Sequence, residues 1–186
     1  MKTHWIPKVE KYDGTQLKPL RAYLEFGLLG DSCLAWKGPC DISFEHMIDG
    51  EDLREQALIQ GSMMLHLIVE LFDQTLVSGV FFQRMIADHV RALIEERSSH
   101  KILLRRSGDD LYWGDKKLSI SIATRSPNSV LIHFAVNISN EGTPVPTCAL
   151  QDFGLEPEPF AIDLLERVTK EWESVREASW KVRPAF

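Results

Sequence analysis

Cysteine is scarce in this chain: Cys33, Cys40 and Cys148 are the three among 186 residues. So small and odd a number excludes a disulfide framework. A chain of this length does not need one, because it buries roughly two-thirds of its unfolded surface. Long hydrophobic runs are missing as well, and none approaches the roughly 18 apolar residues of a membrane span. The amino-terminal Met-Lys-Thr-His-Trp-Ile-Pro-Lys has no apolar stretch of signal-peptide length. These absences predict a reduced, cytoplasmic protein with no membrane partner. Basic charge is also short. Lys and Arg number 21 against 27 Asp and Glu, a formal net charge of -6. That balance gives no general drive toward nucleic acid or an anionic bilayer, and the scattered aromatics form no stacking stripe for a single strand. G-x-x-x-x-G-K-[ST], G-x-G-x-x-G and G-x-S-x-G are all absent, which removes the P-loop, dinucleotide-binding and nucleophile-elbow signatures.

What is present is an ordinary globular composition, 44% hydrophobic and 26% charged, and a length that fits a single domain over residues 1–186. Ser32 to Lys37 is a short apolar run between turn signals and predicts a strand. Met63 to Phe72 is apolar in both registers, as a central strand buried on two faces would be. Gln83 to Arg97 has Met85, Ile86, His89, Val90, Leu93 and Ile94 at helical spacing, with Gln83 left for solvent. Lys117 to Thr124 and Val130 to Ile138 alternate as strands around the turn Ser126-Pro127-Asn128-Ser129. Ala161, Leu165, Val168, Trp172 and Val175 stripe a helix from Ala161 to Ser179. The proline-bearing stretch 140–159 reads as a connection. Consecutive antiparallel strands with helices set apart predict an α+β fold, a mostly antiparallel central sheet with helices packed on one side.

The hairpin offers the best place for chemistry. If Leu118, Ile120 and Ile122 share the apolar face with Val130 through Ile138, the other face collects Ser119, Ser121, His133 and Asn137, with Lys117 at its mouth. Such a face either lines a polar ligand site or is the wet side of the sheet. Just upstream, Arg105, Arg106, Asp109, Asp110, Lys116 and Lys117 crowd a Gly-punctuated stretch. Its cations could meet a phosphate or carboxylate, and its carboxylates a ligand N–H or Mg²⁺. Cys33, Cys40 and His46 have the spacing C-x6-C-x5-H, which lacks the tight knuckle and four ligands of a structural zinc site; no metal is expected there. His66 and Glu70 lie four apart on one strand face, an acid/base pair or a structural one, and His89 is a core histidine.

From Asp109 to Ile138 the sequence resembles the biotin and lipoate protein ligase catalytic domain. Biotin ligases carry K-W-P-N-D-I-L-x-x-x-x-K-I-x-G. Laid without gaps, its first Lys falls on Arg106, N-D on Asp109-Asp110, I-L on Leu111-Tyr112 and K-I on Lys117-Leu118. The lipoate ligase version, K-I-S-G-S-A, falls on Lys117-Leu118-Ser119-Ile120-Ser121-Ile122, and the strand G-I-G-I-N-V on His133 to Ile138, keeping Asn137. The resemblance spans roughly residues 60–178. The whole chain also resembles a small prokaryotic family of unknown function, prominent in archaea, through Tyr12-Asp13-Gly14, Phe26 to Ser32, Gly38-Pro39-Cys40-Asp41 and Gly108 to Tyr112.

The resemblance implies a biotin/lipoate ligase-like fold, related to that of class II aminoacyl-tRNA synthetases. It implies a small-molecule carboxylate or adenylate as ligand, with ATP and Mg²⁺ as cofactors. Lys117 inherits the catalytic role, since a fixed ammonium lowers the barrier where an anionic acyl-adenylate forms. Arg106, Asp109, Asp110, Ser119, Ser121, His133 and Asn137 are the implied ligand-binding set. The sequence departs from the ligases at 51–61, which has one arginine and no glycine cluster where they carry a Gly/Arg-rich loop. Ile120 also replaces the Gly of K-I-x-G. The alternative is a non-catalytic interaction protein that keeps the fold. A homo-oligomer fits either reading.

Overall fold

A computed structural model describes residues 1–185. Its eight strands are β1 (Lys2–Ile6), β2 (Ser32–Ile42), β3 (Ile59–Phe72), β4 (Arg105–Ser107), β5 (Asp110–Trp113), β6 (Lys116–Lys117), β7 (Ser119–Arg125) and β8 (Ser129–Asn137). The α-helices are α1 (Arg21–Phe26), α2 (Gly50–Glu55), α3 (Leu76–Arg97) and α4 (Pro157–Trp180). Five strands form one sheet in the order β1-β2-β3-β8-β7, antiparallel except for the β1–β2 pair; β4-β5-β6 form a small second sheet. This is the expected α+β architecture. Among the described residues no helix is long and apolar enough to cross a membrane.

Strand β3 is two-sided, as its composition requires. Leu65, Leu67, Val69 and Leu71 join the core beneath α3 and α4, while Met64 and Ile68 join a second core on the far face. Both long helices serve the first core. Phe82, Ile86, Val90 and Leu93 of α3 and Phe160, Leu164, Val168 and Trp172 of α4 are buried there. The far face has no long helix. The segment between β1 and β2 covers it, through Tyr12, Leu17 and Ala22.

Several elements extend beyond their sequence limits for local reasons. Helix α3 starts at Leu76 because the Thr75 hydroxyl caps it, accepting from the Ser78 N–H. Its first turns carry the exposed Val77 and Phe81, which blur the apolar stripe. Strand β1 gives almost no alternation signal and is found only by its pairing with β2. The stretch 140–159 is not a loose connection. The Cys148 N–H donates to Lys117 O at 3.1 Å and the Lys117 N–H to Pro146 O at 3.0 Å, and Leu150 and Phe153 are buried.

The hairpin register corrects the expected face assignment. Residues opposite each other in an antiparallel pair share a face, and Ser119 faces Val136, Ser121 faces Phe134 and Ile122 faces His133. Ser119 and Ser121 therefore point to the helix side, while His133 lies with Ile120 and Ile122 on the far side. The error arises at Leu118. It belongs to neither β6 nor β7, donates its N–H to Leu111 O at 2.8 Å, and sits in the helix-side core rather than with Ile120.

Helix α3 can lie this close to β8 because Gly79 has no side chain: a Cβ there would meet Val130 Cγ1 at 2.3 Å. Gly79→Ala should gain about 1 kcal/mol of helix propensity but lose more to overpacking, which costs about 1–3 kcal/mol or above. We expect net destabilisation in urea unfolding, and Val130→Ala should restore stability in the Gly79→Ala background. An additive double mutant would contradict this close packing.

On the far face, four rings stack in sequence. Trp36 and His66 have centroids 5.2 Å apart, His66 and His133 5.4 Å, and His133 and Tyr12 3.7 Å at 14°. Burial pushes the His66 pKa down to about 4. Burial, reinforced by neighbouring His66, pushes His133 down as well. Between pH 4 and 6.5 the unfolded chain therefore binds protons that the folded chain refuses, and stability must rise with pH across that window. For His66 alone the loss from neutral pH to pH 5 is about 2 kcal/mol. His133 and the partly buried His89, whose pKa burial also lowers, act in the same direction. The urea midpoint should thus fall clearly between about pH 7.5 and pH 5, above the range where carboxylates protonate. An unchanged midpoint would overturn the neutral histidine pair.

Candidate functional site

The small sheet, the start of β7 and the arm around α2 enclose a cavity of about 410 Å³. Asp49 and Asp52 come from the α2 arm, Asp109, Asp110 and Lys117 from the small sheet, Ser119 and Ser121 from β7, and Asn137 from β8. The arm is short but ordered: Asp49 caps α2, its carboxylate accepting from the Glu51 and Asp52 N–H groups. Gln56 then turns the chain at φ 53 into β3.

Lys117 stands on the wall with its ammonium 2.9 Å from Asp110 Oδ2. The same carboxylate oxygen accepts from the Tyr112 hydroxyl at 3.2 Å. Burial, followed by the neighbouring Asp49 carboxylate, raises the Asp52 pKa, and Lys117 pulls it back. The α2 arm is therefore within electrostatic reach of Lys117. Asp109 is tied to the sheet. Its Oδ2 accepts from the Ser121 hydroxyl at 2.6 Å and from Gln83 Nε2 at 2.8 Å. Gln83 also donates to Ser121 Oγ at 2.8 Å. Helical periodicity assigns Gln83 to solvent, but it is 5% exposed. An amide inside an apolar helix face is the signal that could have revealed it, because a buried amide must find partners.

Six of the eight expected site residues line this cavity: Asp109, Asp110, Lys117, Ser119, Ser121 and Asn137. Two do not. Arg106 sits on β4 in solvent and donates to Gly108 O at 2.5 Å. His133 lies on the far face of the sheet, where it lines a neighbouring smaller cavity with Tyr12. Asn137 has spent its amide on the backbone, donating to Lys117 O and Cys148 O, each at 3.2 Å. The Ser119 hydroxyl accepts from the Leu111 N–H at 3.0 Å. Both side chains fasten the small sheet and the 143–147 loop to the hairpin end, and so fix where Lys117 stands.

His66 and Glu70 do not work as a pair. The Glu70 carboxylate accepts from the Leu20 N–H at 2.9 Å and from the Ser129 hydroxyl at 2.7 Å, while His66 bonds to His133 and Gly38. Cys33 and Cys40 belong to opposite cores, and burial pushes both thiols up to about 12, away from the thiolate a metal needs.

Five carboxylates, Asp49, Glu51, Asp52, Asp109 and Asp110, share the cavity wall with the Lys117 ammonium. An anion entering it has one fixed positive partner and a negative surround.

Comparison with known proteins shows the family and the fold. The solved structure of a protein of unknown function from Pyrococcus horikoshi superposes with a TM-score of 0.92 at 34% identity, covering 100% of both chains. Protein MJ0805 of Methanocaldococcus jannaschii is 31% identical over 151 residues, 78% of this chain and 67% of the relative. Biotin protein ligase from Aquifex aeolicus, in complex with biotin and ATP, superposes with a TM-score of 0.62 at 12% identity, over 95% of this chain and 72% of the ligase. At that identity the likeness is one of fold, and the fold is the biotin/lipoate ligase type that the hairpin motifs imply. Over residues 1–183 the chain matches the family model described as a domain of unknown function, DUF366, and it belongs to that family.

Proposed function

We propose that this protein binds a small acyl carboxylate, or its adenylate, in the 410 Å³ cavity, with Lys117 meeting the anionic end. The observation that carries the reading is the cavity itself. Its volume falls in the range of small-molecule sites, about 300–1,000 Å³. The α2 arm, the segment that the resemblance matches to the ligases' Gly/Arg-rich loop, borders the space instead of filling it. An ammonium has three donors and Asp110 takes one, so Lys117 can hold its partner and still donate to a ligand carboxylate or phosphate.

The carboxylates set a condition on that ligand. Asp109 and Asp110 each leave Oδ1 without a protein hydrogen bond among the described residues. Two hard oxygen donors suit Mg²⁺, which keeps its waters and is held by one or two carboxylates plus phosphate. A nucleotide would enter as its Mg²⁺ complex, the cation neutralising phosphate charge against this acidic wall. Lys117 orients the acyl end, and the clamps made by Asn137 and Ser119 keep it from drifting. The same excess of carboxylates is what favours the second reading, a non-catalytic interaction protein that retains the fold.

Titration calorimetry with biotin, lipoate and octanoate, each with and without Mg-ATP, tests the proposal, together with an adenylate-exchange assay. Millimolar or tighter binding is expected for at least one carboxylate. Lys117→Ala should weaken it by about 1.5–3 kcal/mol, the worth of a charge-assisted hydrogen bond. The variant should remain folded, since a surface ion pair contributes about 0–1 kcal/mol. The exposed neighbour Lys116 lies outside the cavity lining, so Lys116→Ala should leave affinity unchanged. Equal effects at the two lysines, or no binding by any of the carboxylates, would remove the basis for a ligand site here.

A further inference from the structure

The smaller cavity, of about 40 Å³, continues from the larger one. Asp49, Asp52, Ile59, Ile120 and Ser121 belong to the walls of both. Ile42, Met47, Ile48 and Ile122 add to the shared isoleucines as its apolar lining. Its polar lining is His46, Asp49, Asp52, Ser121, Tyr12 and His133, and of these the last two are buried. Tyr12 and His133 are each 1% exposed and lie ring on ring. The Tyr12 hydroxyl and His133 Nδ1 make no hydrogen bond to protein among the described residues. Neither is among the polar atoms sealed inside the packing without a partner. Unpartnered yet not sealed, they open onto the cavity that their side chains line.

The proton positions follow from the acceptors. Gly38 O can only accept, so the hydrogen of neutral His66 is on Nε2, 3.1 Å away. His66 Nδ1 is then a bare lone pair. Its contact with His133 Nε2 at 3.1 Å requires that the hydrogen of His133 be on Nε2. That leaves His133 Nδ1 as an acceptor. Desolvation of both rings keeps the pair neutral and the direction fixed.

We propose that the smaller cavity is the tail subsite of the carboxylate ligand, and that His133 Nδ1 selects tails ending in an N–H or O–H donor over plain hydrocarbon tails. This rests on the carboxylate-binding reading above. The charged end meets Lys117, and the tail passes between Ile59 and Ile120 toward the imidazole. The space admits a few water-sized groups, enough for a terminal hydroxyl or amide. A carboxylate would be misplaced at this end, since a bare imidazole lone pair repels it. His66 acts as a positioning residue, holding the His133 tautomer. A plain hydrocarbon terminus leaves two polar atoms unpaired or dependent on water, and that difference generates the selectivity.

The test is calorimetry on the full chain with ω-hydroxy fatty acids and the plain acids of matching length, over a series of lengths. The ω-hydroxy acid should bind about tenfold more tightly at the best length, the worth of one hydrogen bond. In His133→Phe the ratio of the two affinities should fall to about one. Should that variant not fold, ¹⁵N-histidine spectra of the unmodified protein give a second readout. The His133 Nδ1 resonance should start as an unprotonated nitrogen and shift on adding the ω-hydroxy acid but not the plain acid. Equal affinities with an unmoved resonance, or an undiminished preference in His133→Phe, would overturn the tail subsite and leave carboxylate binding intact. Failure of both acid series to bind would overturn both proposals.

Discussion

The far face of the central sheet sets the organisation of this protein. Strands β3 and β8 are buried on both sides, yet both long helices lie on one side. The opposite side must be covered by the segment before β2. That segment buries few apolar residues, Tyr12, Leu17 and Ala22, and relies on specific contacts. Trp36 Nε1 donates to Glu10 O at 3.0 Å, and the backbone of Glu10 lies so near β2 that a Cβ at Gly38 would fall 1.8 Å from its oxygen. Arg21, almost fully buried, donates to the Glu10 carboxylate at 2.9 Å and lies over the Trp36 ring. Leu20 takes φ 62, a conformation L-residues avoid, and its N–H is held by the buried Glu70 carboxylate. The ring stack from Trp36 to Tyr12 sits beneath these contacts and depends on all of them. Two neutral histidines in the middle of a sheet are acceptable because each donates its hydrogen to a fixed acceptor.

The same constraint shapes the site. The hairpin β7–β8 ends where the two faces meet at the sheet edge, and Leu118 switches the chain from the small sheet into β7. That switch puts Lys117 beside Asp110 and sends Ser119 and Ser121 to the helix side. It leaves His133 facing the N-terminal cover. One edge therefore gives access to polar groups on both faces, and the two cavities adjoin because they are the two sides of that edge.

Much of this was legible in the sequence. The β3 run, the two helices, the hairpin and the alignment of Lys117, Asp109 and Asp110 all rest on strong local periodicity or a motif. What failed did so for identifiable reasons. A strand's period of two makes every face assignment hang on a single residue, and carrying the β7 alternation through Leu118 put Ser119 and Ser121 on the face of His133, the wrong side of the sheet. Gln83 was hidden because an amide on a helix reads as solvent-facing until its partners, Asp109 and Ser121, are found far away in the chain. Arg106 was misled by its charge; a cation near a motif carries no direction, and β4 turns it outward. Tyr12 gave no periodic signal at all. Its role comes wholly from tertiary packing against His133.

Binding and activation are separable in this architecture. Accelerating adenylate formation requires charge stabilisation that is stronger in the transition state than in the ground state, from donors preorganised around the developing anion. In the proposed reading Lys117 would be one such donor, but five carboxylates share its cavity and the α2 arm contributes three of them, Asp49, Glu51 and Asp52. A Gly/Arg-rich loop would bring backbone N–H groups and guanidinium charge to that position; this arm brings carboxylates. Burial already raises the Asp52 pKa and Lys117 opposes the shift, so the ammonium's field is partly spent on the protein's own acids. The far end of the connected space shares Asp49 and Asp52 but adds isoleucines and a buried imidazole acceptor in place of a fixed cation. A ligand spanning the two would gain selectivity from its tail and orientation from its charge, and any activation would need its electrostatic work done by a cation arriving with the nucleotide.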